Sequence, residues 1–334
     1  MITVFARWAL IGSILLPTAA AAEPVKLKLA FFTSDRISLY VDMIRPFVDA
    51  VNNEAPDQLQ IEVYSSGVLG KAPVQQAQLV LDGVADIALV IPGVSDRFPD
   101  NAVVEMPGLF LGLREATMTF TALVAARALR GYEDFVVIGA FATEPESIHT
   151  RTAVASLDDL RGMKIRMSSP TESAALAQLG MQPMLMPVTA VSDAISSGSI
   201  DGTAIAPALL KEFGIGRVAT HHYLLRTSSA SLSLLMNRKK FESLPVRAQN
   251  IIRKYSGAWP AAHFADGYEK LNVQEIEQLR ADPRRTVIMP SQPELDRAQI
   301  AFKSVTEEWA SRSPYNRALL DRTVAEIVKL RSIH

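Results

Sequence analysis

The chain has 334 residues, enough for two domains or for one large domain. Its 34 Lys and Arg residues nearly balance its 35 Asp and Glu residues, so neither a nucleic-acid surface nor a polybasic membrane anchor is indicated. The absence of cysteine from the sequence excludes a catalytic thiol, a disulfide and a zinc site with cysteine ligands.

The N-terminal residues have the pattern of a secretory signal peptide. A single cation, Arg7, precedes an apolar run from Trp8 to Leu16, and small residues follow it as far as Ala22. Because this run is shorter than the roughly 20 residues that span a bilayer, the pattern favours export over a retained membrane anchor. We predict cleavage after Ala22, so that residues 1–22 are removed and the mature protein is soluble outside the cytoplasm.

Strand and helix patterns alternate along the first half of the mature chain. VKLKLAFF alternates apolar and polar residues as a strand does, and SLYVDMIRPFVDAVNN repeats its apolar residues at helical spacing. LQIEVYS predicts a second strand, a helix follows with Pro73 near its start and Gly83 at its end, and ADIALVI predicts a third strand. This β-α-β-α-β order predicts a mostly parallel sheet covered by helices.

The same order of elements recurs further along the chain. MKIRM, PMLMPV and DGTAIA predict strands, and TESAALAQLG and AVSDAISSG predict the helices between them. Residues 83–92 (GVADIALVIP) and 198–207 (GSIDGTAIAP) both read Gly-x-x-Asp, with a proline six residues after the aspartate. Any helix-turn-strand unit can look like this. The alternative, which we favour, is a pair of similar α/β domains.

The rest of the chain is mostly helical. SLSLLMNRKKFESL predicts a strand followed by the start of a helix, and residues 245–282 have a helical pattern with a kink at Pro260. Two more helices are predicted over residues 293–311 and 316–331. Because no low-complexity linker separates the two halves, we expect the chain to cross between domains on strands and a long helix, as in a hinge.

Candidates for catalysis or metal binding are weak. His221 and His222 are neighbours on a predicted strand and should point to opposite faces, so they cannot easily share a metal, and no H-E-x-x-H motif is present. Asp158 and Asp159 could be an acid/base pair, but Ser156 followed three residues later by Asp159 favours a helix cap. The sequence has no G-x-S-x-G nucleophile elbow. We therefore predict neither an enzyme nor a cofactor or metal site.

One cation has a position that indicates ligand binding. In RGMKIRMSSP, Arg166 lies at the end of a predicted strand, and ligands of open α/β sheets bind beyond the carboxyl ends of the strands. A guanidinium there can hold a carboxylate through two charge-assisted hydrogen bonds. The alternative is that Arg166 is solvated or paired with a structural carboxylate, and its position alone does not decide between the two.

Several segments, in their order and spacing, resemble the solute-binding proteins of tripartite ATP-independent periplasmic (TRAP) transporters, the DctP-like family. The segments are YSSGVLG, DGVADIAL, RFPDNAVVEMPGLF, LDDLRGMKIRM, LGMQPMLMPVTAVSDAISSGSIDG and LLMNRKKFESLP. The resemblance extends from about residue 27 to residue 270, and more loosely to the C-terminus. It implies a two-domain α/β clamp of the periplasmic-binding-protein type, with crossing strands and a long interdomain helix. The domains would comprise residues 23–143 plus 232–271 and residues 144–231 plus 272–334.

The resemblance also implies a function. Such a protein is not an enzyme: it captures a small organic acid in the periplasm and delivers it to membrane permease subunits driven by an ion gradient. We expect a monomer that binds no nucleic acid. The alternatives are a binding protein of the same fold that serves a sensor or another transporter class and, less favoured, an exported hydrolase.

The resemblance assigns the ligand-clamping arginine of the family to Arg166. Other polar positions of the family are not kept: Ala206 and Ile91 stand where members that bind sugar acids have an amide and a carboxylate, and Glu146 stands near the place of a second arginine. Because unpaired polar groups of a buried ligand are unfavourable, we expect a carboxylate with a largely apolar or aromatic body. The expected lining residues besides Arg166 are Phe31, Phe32, Thr33, Ile91, Met167, Thr189 and Ala206.

Overall fold

The structure is a computed structural model that describes residues 23–54 and 56–332, and it contains two β-sheets covered by helices. This mixed α/β architecture with two sheets confirms the predicted fold class. The predicted signal peptide, residues 1–22, lies outside the described residues. Within those residues, no helix combines the length and the apolar composition needed to cross a membrane.

Eleven strands form the two sheets of the described chain. The strands are β1 (Val25–Ala30), β2 (Leu59–Tyr64), β3 (Ile87–Val90), β4 (Phe135–Ala142), β5 (Ser147–Thr150), β6 (Lys164–Met167), β7 (Gln182–Leu185), β8 (Gly202–Ile205), β9 (His221–Tyr223), β10 (Ser231–Asn237) and β11 (Thr286–Ile288). The first sheet has the order β2-β1-β3-β10-β4 and the second has the order β11-β9-β5-β8-β6-β7.

Eleven α-helices of the described residues flank these sheets, and a π-helix at Leu39–Ile44 leads into the first of them. The helices are α1 (Arg45–Glu54), α2 (Gln76–Leu81), α3 (Leu113–Ala125), α4 (Pro170–Gln178), α5 (Val191–Ser197), α6 (Leu209–Glu212), α7 (Arg238–Glu242), α8 (Val246–Lys254), α9 (Ala258–Ala281), α10 (Gln292–Ser311) and α11 (Pro314–Arg331).

The repeated Gly-x-x-Asp segments have the same structural role in the two sheets. Asp86 precedes β3, and its carboxylate accepts a hydrogen bond from the main-chain N–H of Lys28 on β1 at 2.8 Å. Asp201 precedes β8, and its carboxylate accepts from the N–H of Lys164 on β6, also at 2.8 Å. In each case the aspartate N–H donates in return to the lysine carbonyl. The repeat thus fixes equivalent parallel strand pairs, β1 with β3 and β6 with β8.

Two short segments connect the sheets, and the helices α7 to α9 between β10 and β11 provide a third passage. Residues 143–146 lead from β4 of the first sheet to β5 of the second, and residues 224–230 lead from β9 back to β10. Both β10 and β5 run antiparallel to the strands they join. The long helix α9 contacts α3 and β4 beside the first sheet and β11 of the second, while α11 packs against α3. The exact domain boundaries remain a prediction.

The predicted helix over residues 245–282 is interrupted, but not at the proline. The break lies between α8 and α9, where Gly257 adopts a positive φ of 72° that side chains other than hydrogen disfavour. Pro260 is buried in the first turn of α9, where the missing N–H removes no helical hydrogen bond. The chain therefore changes direction three residues before the expected kink.

Candidate functional site

A cavity of about 440 Å³ lies between the two sheets. Phe32 and Ile91, which follow β1 and β3, line it from the first sheet, and Arg166 of β6 and Ile205 of β8 line it from the second. These residues lie at or just beyond the carboxyl ends of parallel strands, the usual place for a ligand in an open α/β sheet. Both sheets therefore contribute to one candidate ligand site.

The wall of the cavity is mostly apolar. Six of its lining residues are polar, namely Lys71, Thr143, Glu146, Arg166, Ser168 and Thr189. The others are aliphatic, aromatic or proline side chains, among them Leu39, Leu209 and Phe213. A ligand with an apolar body would thus find apolar contacts on most sides, with Glu146 and Ser168 among the polar groups near Arg166.

Arg166 is buried, with 4% of its surface exposed, and main-chain oxygens orient its guanidinium. Nε donates to the carbonyl of Met186 at 3.1 Å and Nη1 donates to the carbonyl of Ala204 at 3.4 Å. Among the described residues, no carboxylate forms an ion pair with Arg166 and Nη2 has no hydrogen-bond acceptor. Burial lowers the pKa of Arg166 and the charges of Glu146 and Glu172 oppose that shift. The group remains a cation because its ordinary pKa is so high.

Four of the residues predicted to bind the ligand line this cavity: Phe32, Ile91, Arg166 and Thr189. Their positions follow from the strands and turns that the sequence indicates. Arg166 is neither solvated nor paired with a structural carboxylate, the alternative that its sequence position had left open. Ligand contacts by these four residues remain a prediction.

The other four predicted residues lie elsewhere. Phe31, Met167 and Ala206 have their side chains in the hydrophobic cores, where Phe31 packs against the rings of Phe32 and Tyr40. Each is the chain neighbour of a cavity residue, and successive side chains of an extended backbone point to opposite sides. Thr33 is half-buried, and its carbonyl accepts a hydrogen bond from the N–H of Ser66.

Two buried carboxyl groups lie beside Arg166. Glu146 is on the segment that joins the sheets, and its Oε1 accepts from Ser168 Oγ at 3.2 Å. Glu172 is in the first turn of α4, where its Oε1 accepts from Thr227 Oγ1 at 2.5 Å and its Oε2 from the N–H of Ser168 at 3.3 Å. Burial, and then the charge of Glu172, raise the pKa of Glu146 well above its usual range, and Arg166 opposes that shift.

Local sequence indicates this pair only weakly. Glu146 is distinguished in the sequence only by standing near the place of a family arginine. Glu172 follows Ser169 by three residues, a spacing that indicates a helix cap, and the Ser169 hydroxyl does accept from the N–H of Glu172. A capping residue is a sufficient explanation for a glutamate at this position, so its proximity to Arg166 could not be read from local sequence.

A second buried polar pair, His149 and His222, lies behind the cavity. Their Nδ1 atoms are 2.8 Å apart, and His149 Nε2 is 3.2 Å from the carbonyl of Ile205, which must accept. Arg285 Nη1 lies 3.4 Å from His222 Nε2 and must donate. The Ile205 carbonyl and the Arg285 guanidinium together allow one arrangement of two neutral rings. His222 donates from its Nδ1 to the Nδ1 of His149, and His149 donates from its Nε2. Burial lowers the pKa of both histidines, that of His222 to about 4.

The remaining sequence candidates have structural contacts. The Asp159 carboxylate accepts from the N–H groups of Ala155 and Ser156, both at 2.9 Å, a structural contact as the sequence favoured. The 3₁₀-helix Asp158–Leu160 has Leu157 as its N-cap, so Ser156 is not the N-cap that the sequence predicted. Asp158 forms an ion pair with Arg297 at 2.9 Å. In the described part of the chain, no three histidine, aspartate or glutamate side chains form a group that could hold a metal ion.

Comparison with known proteins gives the family. The model of the family "bacterial extracellular solute-binding protein, family 7" matches residues 33–313. The chain belongs to this family. A solute-binding protein of Sulfitobacter sp. (strain NAS-14.1) is 24% identical over 250 residues, which cover 73% of this chain and 75% of that protein.

Solved structures of TRAP solute-binding proteins share the fold of this solute-binding protein. One from a marine metagenome, specific for aromatic acid ligands and in complex with metahydroxyphenylacetate, is 25% identical with a TM-score of 0.84, covering 91% of this chain and 99% of that one. One from Rhodoferax ferrireducens T118, in complex with copurified benzoate, is 24% identical with a TM-score of 0.83, covering 92% and 99%. The family and these neighbours are solute-binding proteins and not enzymes.

Proposed function

We propose that the protein is the periplasmic substrate-binding subunit of a TRAP transporter and that it binds an organic acid with an aromatic or otherwise apolar body. In this proposal Arg166 binds the carboxylate, and Phe32, Ile91 and Thr189 contact the rest of the ligand. The bound acid is then delivered to the membrane permease subunits. We further propose that the chain is exported by the signal peptide at residues 1–22 and acts as a monomer.

The observation that carries this proposal is a buried guanidinium, free of any ion pair among the described residues, in a mostly apolar cavity. A buried charge is strongly unfavourable unless a partner of opposite sign reaches it. A carboxylate supplies that charge and matches the planar fork of an arginine. The cavity volume also falls in the range of about 300–1,000 Å³ that is usual for small-molecule sites.

The apolar wall supports an aromatic or aliphatic ligand body over a sugar. Each hydroxyl of a sugar acid that entered this cavity without a partner would lose about 1–3 kcal/mol of binding free energy. The marine metagenome protein, described as specific for aromatic acid ligands, supports the same ligand class. The TRAP neighbours favour a transporter subunit over a receptor for a sensor kinase, and the family membership argues against the hydrolase.

A thermal-shift screen of carboxylates tests the proposal. Because a ligand at a hundredfold its dissociation constant stabilises the folded state by about 2.7 kcal/mol, a true ligand should raise the melting temperature by several degrees. We expect benzoate and phenylacetate derivatives to give larger shifts than glucuronate or sialic acid. The amide of the best acid should give no shift, since it lacks the charge that Arg166 requires. Larger shifts with sugar acids would contradict the proposed ligand class.

The role of Arg166 is tested with matched variants. Arg166→Ala should lose the ligand-induced shift, whereas Arg151→Ala should keep it, because Arg151 is exposed just after β5 and does not line the cavity. Arg166→Lys keeps the positive charge but lacks the planar guanidinium with its paired N–H donors. It should bind the acid at least tenfold more weakly than the natural protein does. If Arg166→Ala is folded by circular dichroism and still shows the full shift, Arg166 is not the anchor.

A further inference from the structure

The charges around the candidate site do not suit an anion if every group is ionised. Arg166 contributes one positive charge, while Glu146 and Glu172 on the facing elements could contribute two negative charges. With both glutamates ionised, the buried cluster would be net negative and would repel a second carboxylate. Lys71 adds a cation to the cavity wall but is exposed, so a proton on a buried glutamate would favour a ligand acid beside Arg166 more directly.

The geometry of the two glutamates provides a place for that proton. Oε2 of Glu146 is fully buried and accepts no hydrogen bond from the described residues. The two carboxylates converge on Ser168, because Oε1 of Glu146 accepts from its hydroxyl and Oε2 of Glu172 accepts from its N–H. Two ionised carboxylates offer only acceptors and cannot hydrogen-bond to each other, so a proton on Glu146 removes a repulsion between them. Like charges held around one buried residue disfavour double ionisation.

The groups that face Glu146 determine how readily it holds a proton. Arg166 on β6 favours the ionised form, whereas burial and Glu172 on α4 favour the protonated form, and together they raise the pKa of Glu146. Glu105 adds a third carboxyl group near Glu172, and its pKa is raised to about 7, chiefly by burial. Its Oε1 accepts from the N–H of Ser231 at 3.1 Å and from the Ser231 hydroxyl at 2.5 Å.

Building on the proposed function, we propose that the site takes up a proton together with the acid, with the ligand carboxylate on Arg166 and the proton on Glu146. The proton comes from water or buffer, and no covalent bond of the ligand changes. The negative charge that the ligand brings raises the proton occupancy of Glu146, so that binding adds little net charge to the buried cluster. Affinity therefore increases as the pH falls.

The affinity for the ligand depends on pH because the complex prefers the protonated form of Glu146. Above the ordinary glutamate pKa of about 4.3, affinity should decrease as the pH rises through the raised pKa of Glu146. Where Glu146 of the ligand-free protein loses its proton, the dissociation constant of the ligand should rise by up to about tenfold per pH unit. Glu146→Gln replaces the protonated carboxyl with a neutral amide of similar shape, so its affinity should be nearly independent of pH.

Isothermal titration calorimetry with 3-hydroxyphenylacetate as the probe measures this coupling. Titrations of the mature protein in buffers with different protonation enthalpies give the number of protons bound with the probe, at pH values from about 5.5 to about 9. At pH values above the raised pKa of Glu146, we expect an uptake approaching one proton in the natural protein and almost none in Glu146→Gln. Glu275→Gln is the matched control: burial also raises the pKa of Glu275, but its charged neighbours are Lys211 and Arg285. It should keep the full uptake.

The outcomes separate the two proposals. Tight binding of the probe without proton uptake, or uptake that persists in Glu146→Gln, overturns the proton coupling and leaves the proposed function intact. Normal binding by Arg166→Ala overturns the anchor assignment instead. Infrared difference spectra between the ligand-bound and the ligand-free protein test the proton directly: a protonated-carboxyl band should appear on binding in the natural protein and in Glu275→Gln, and should be absent in Glu146→Gln. The same band in Glu146→Gln would contradict the assignment of the proton to Glu146.

Discussion

The buried histidine pair predicts a specific loss of stability in acid. In the neutral arrangement, Arg285 donates to His222, His222 donates to His149, and His149 donates to the carbonyl of Ile205. A proton added to either ring would turn the acceptor nitrogen at 2.8 Å or 3.4 Å into a second donor facing an N–H. In the unfolded chain both rings can be protonated freely, so acid favours unfolding.

The loss of folding stability in acid follows from the pKa shift of His222. Its pKa falls from an ordinary value of 6.5 to about 4 in the folded protein, mainly because of burial. The stability that depends on its neutral form is complete above pH 6.5 and decreases as the pH falls towards 4. At about pH 5 the linkage relation gives a loss of about 2 kcal/mol from this residue alone.

Urea unfolding at about pH 7.5 and about pH 5 measures this loss. Acidification should destabilise the natural protein by about 2 kcal/mol more than it destabilises His222→Gln, since titration of other groups is common to both. His263→Gln is the control, because His263 is exposed on α9 and should leave the pH dependence unchanged. Equal pH dependence of the natural protein and His222→Gln would refute the neutral hydrogen-bond order.

Two other substitutions test the wall of the cavity and the internal repeat. Ile91→Asp places a charge on the apolar side of the cavity, and it should weaken the binding of an aromatic acid at least tenfold, measured by calorimetry, without unfolding the protein. Asp86→Ala and Asp201→Ala each remove a carboxylate that accepts from a lysine N–H at 2.8 Å, and each should lower the free energy of unfolding by about 1–3 kcal/mol. A loss at only one of these positions in urea unfolding would show that the repeated contacts are not equivalent.

Local sequence predicted those parts of the fold whose signals are short-range. The alternation in VKLKLAFF corresponds to β1, and the Gly-x-x-Asp repeat corresponds to the entries into β3 and β8. Strand β4, FVVIGAFA, was not predicted because its residues are apolar almost throughout, without alternation or helical spacing. Its position in the first sheet is determined by pairing with β10, about a hundred residues away in the sequence.

The candidate site shows the same division between local and distant information. The position of Arg166 at the end of β6 is a local property, and it could be predicted. The acceptors of its guanidinium could not, because the carbonyls of Met186 and Ala204 reach it only after the second sheet has assembled. The sequence also could not tell which of two neighbours on an extended segment faces the cavity, as Phe31 and Phe32 illustrate.

The acidic pair beside Arg166 resolves a conflict between folding and binding. A buried guanidinium with no countercharge would be unfavourable in the ligand-free protein, and a carboxylate fixed in a permanent ion pair with it would compete with the ligand. Glu146 and Glu172 lower the energy of the free cation through their charge without forming an ion pair with it. If Glu146 loses its charge by protonation when the acid binds, the same arginine can be stabilised by the protein before binding and by the ligand afterwards. On this argument Glu146, which stands near the place of the family's second arginine, contributes to ligand binding by changing its protonation state.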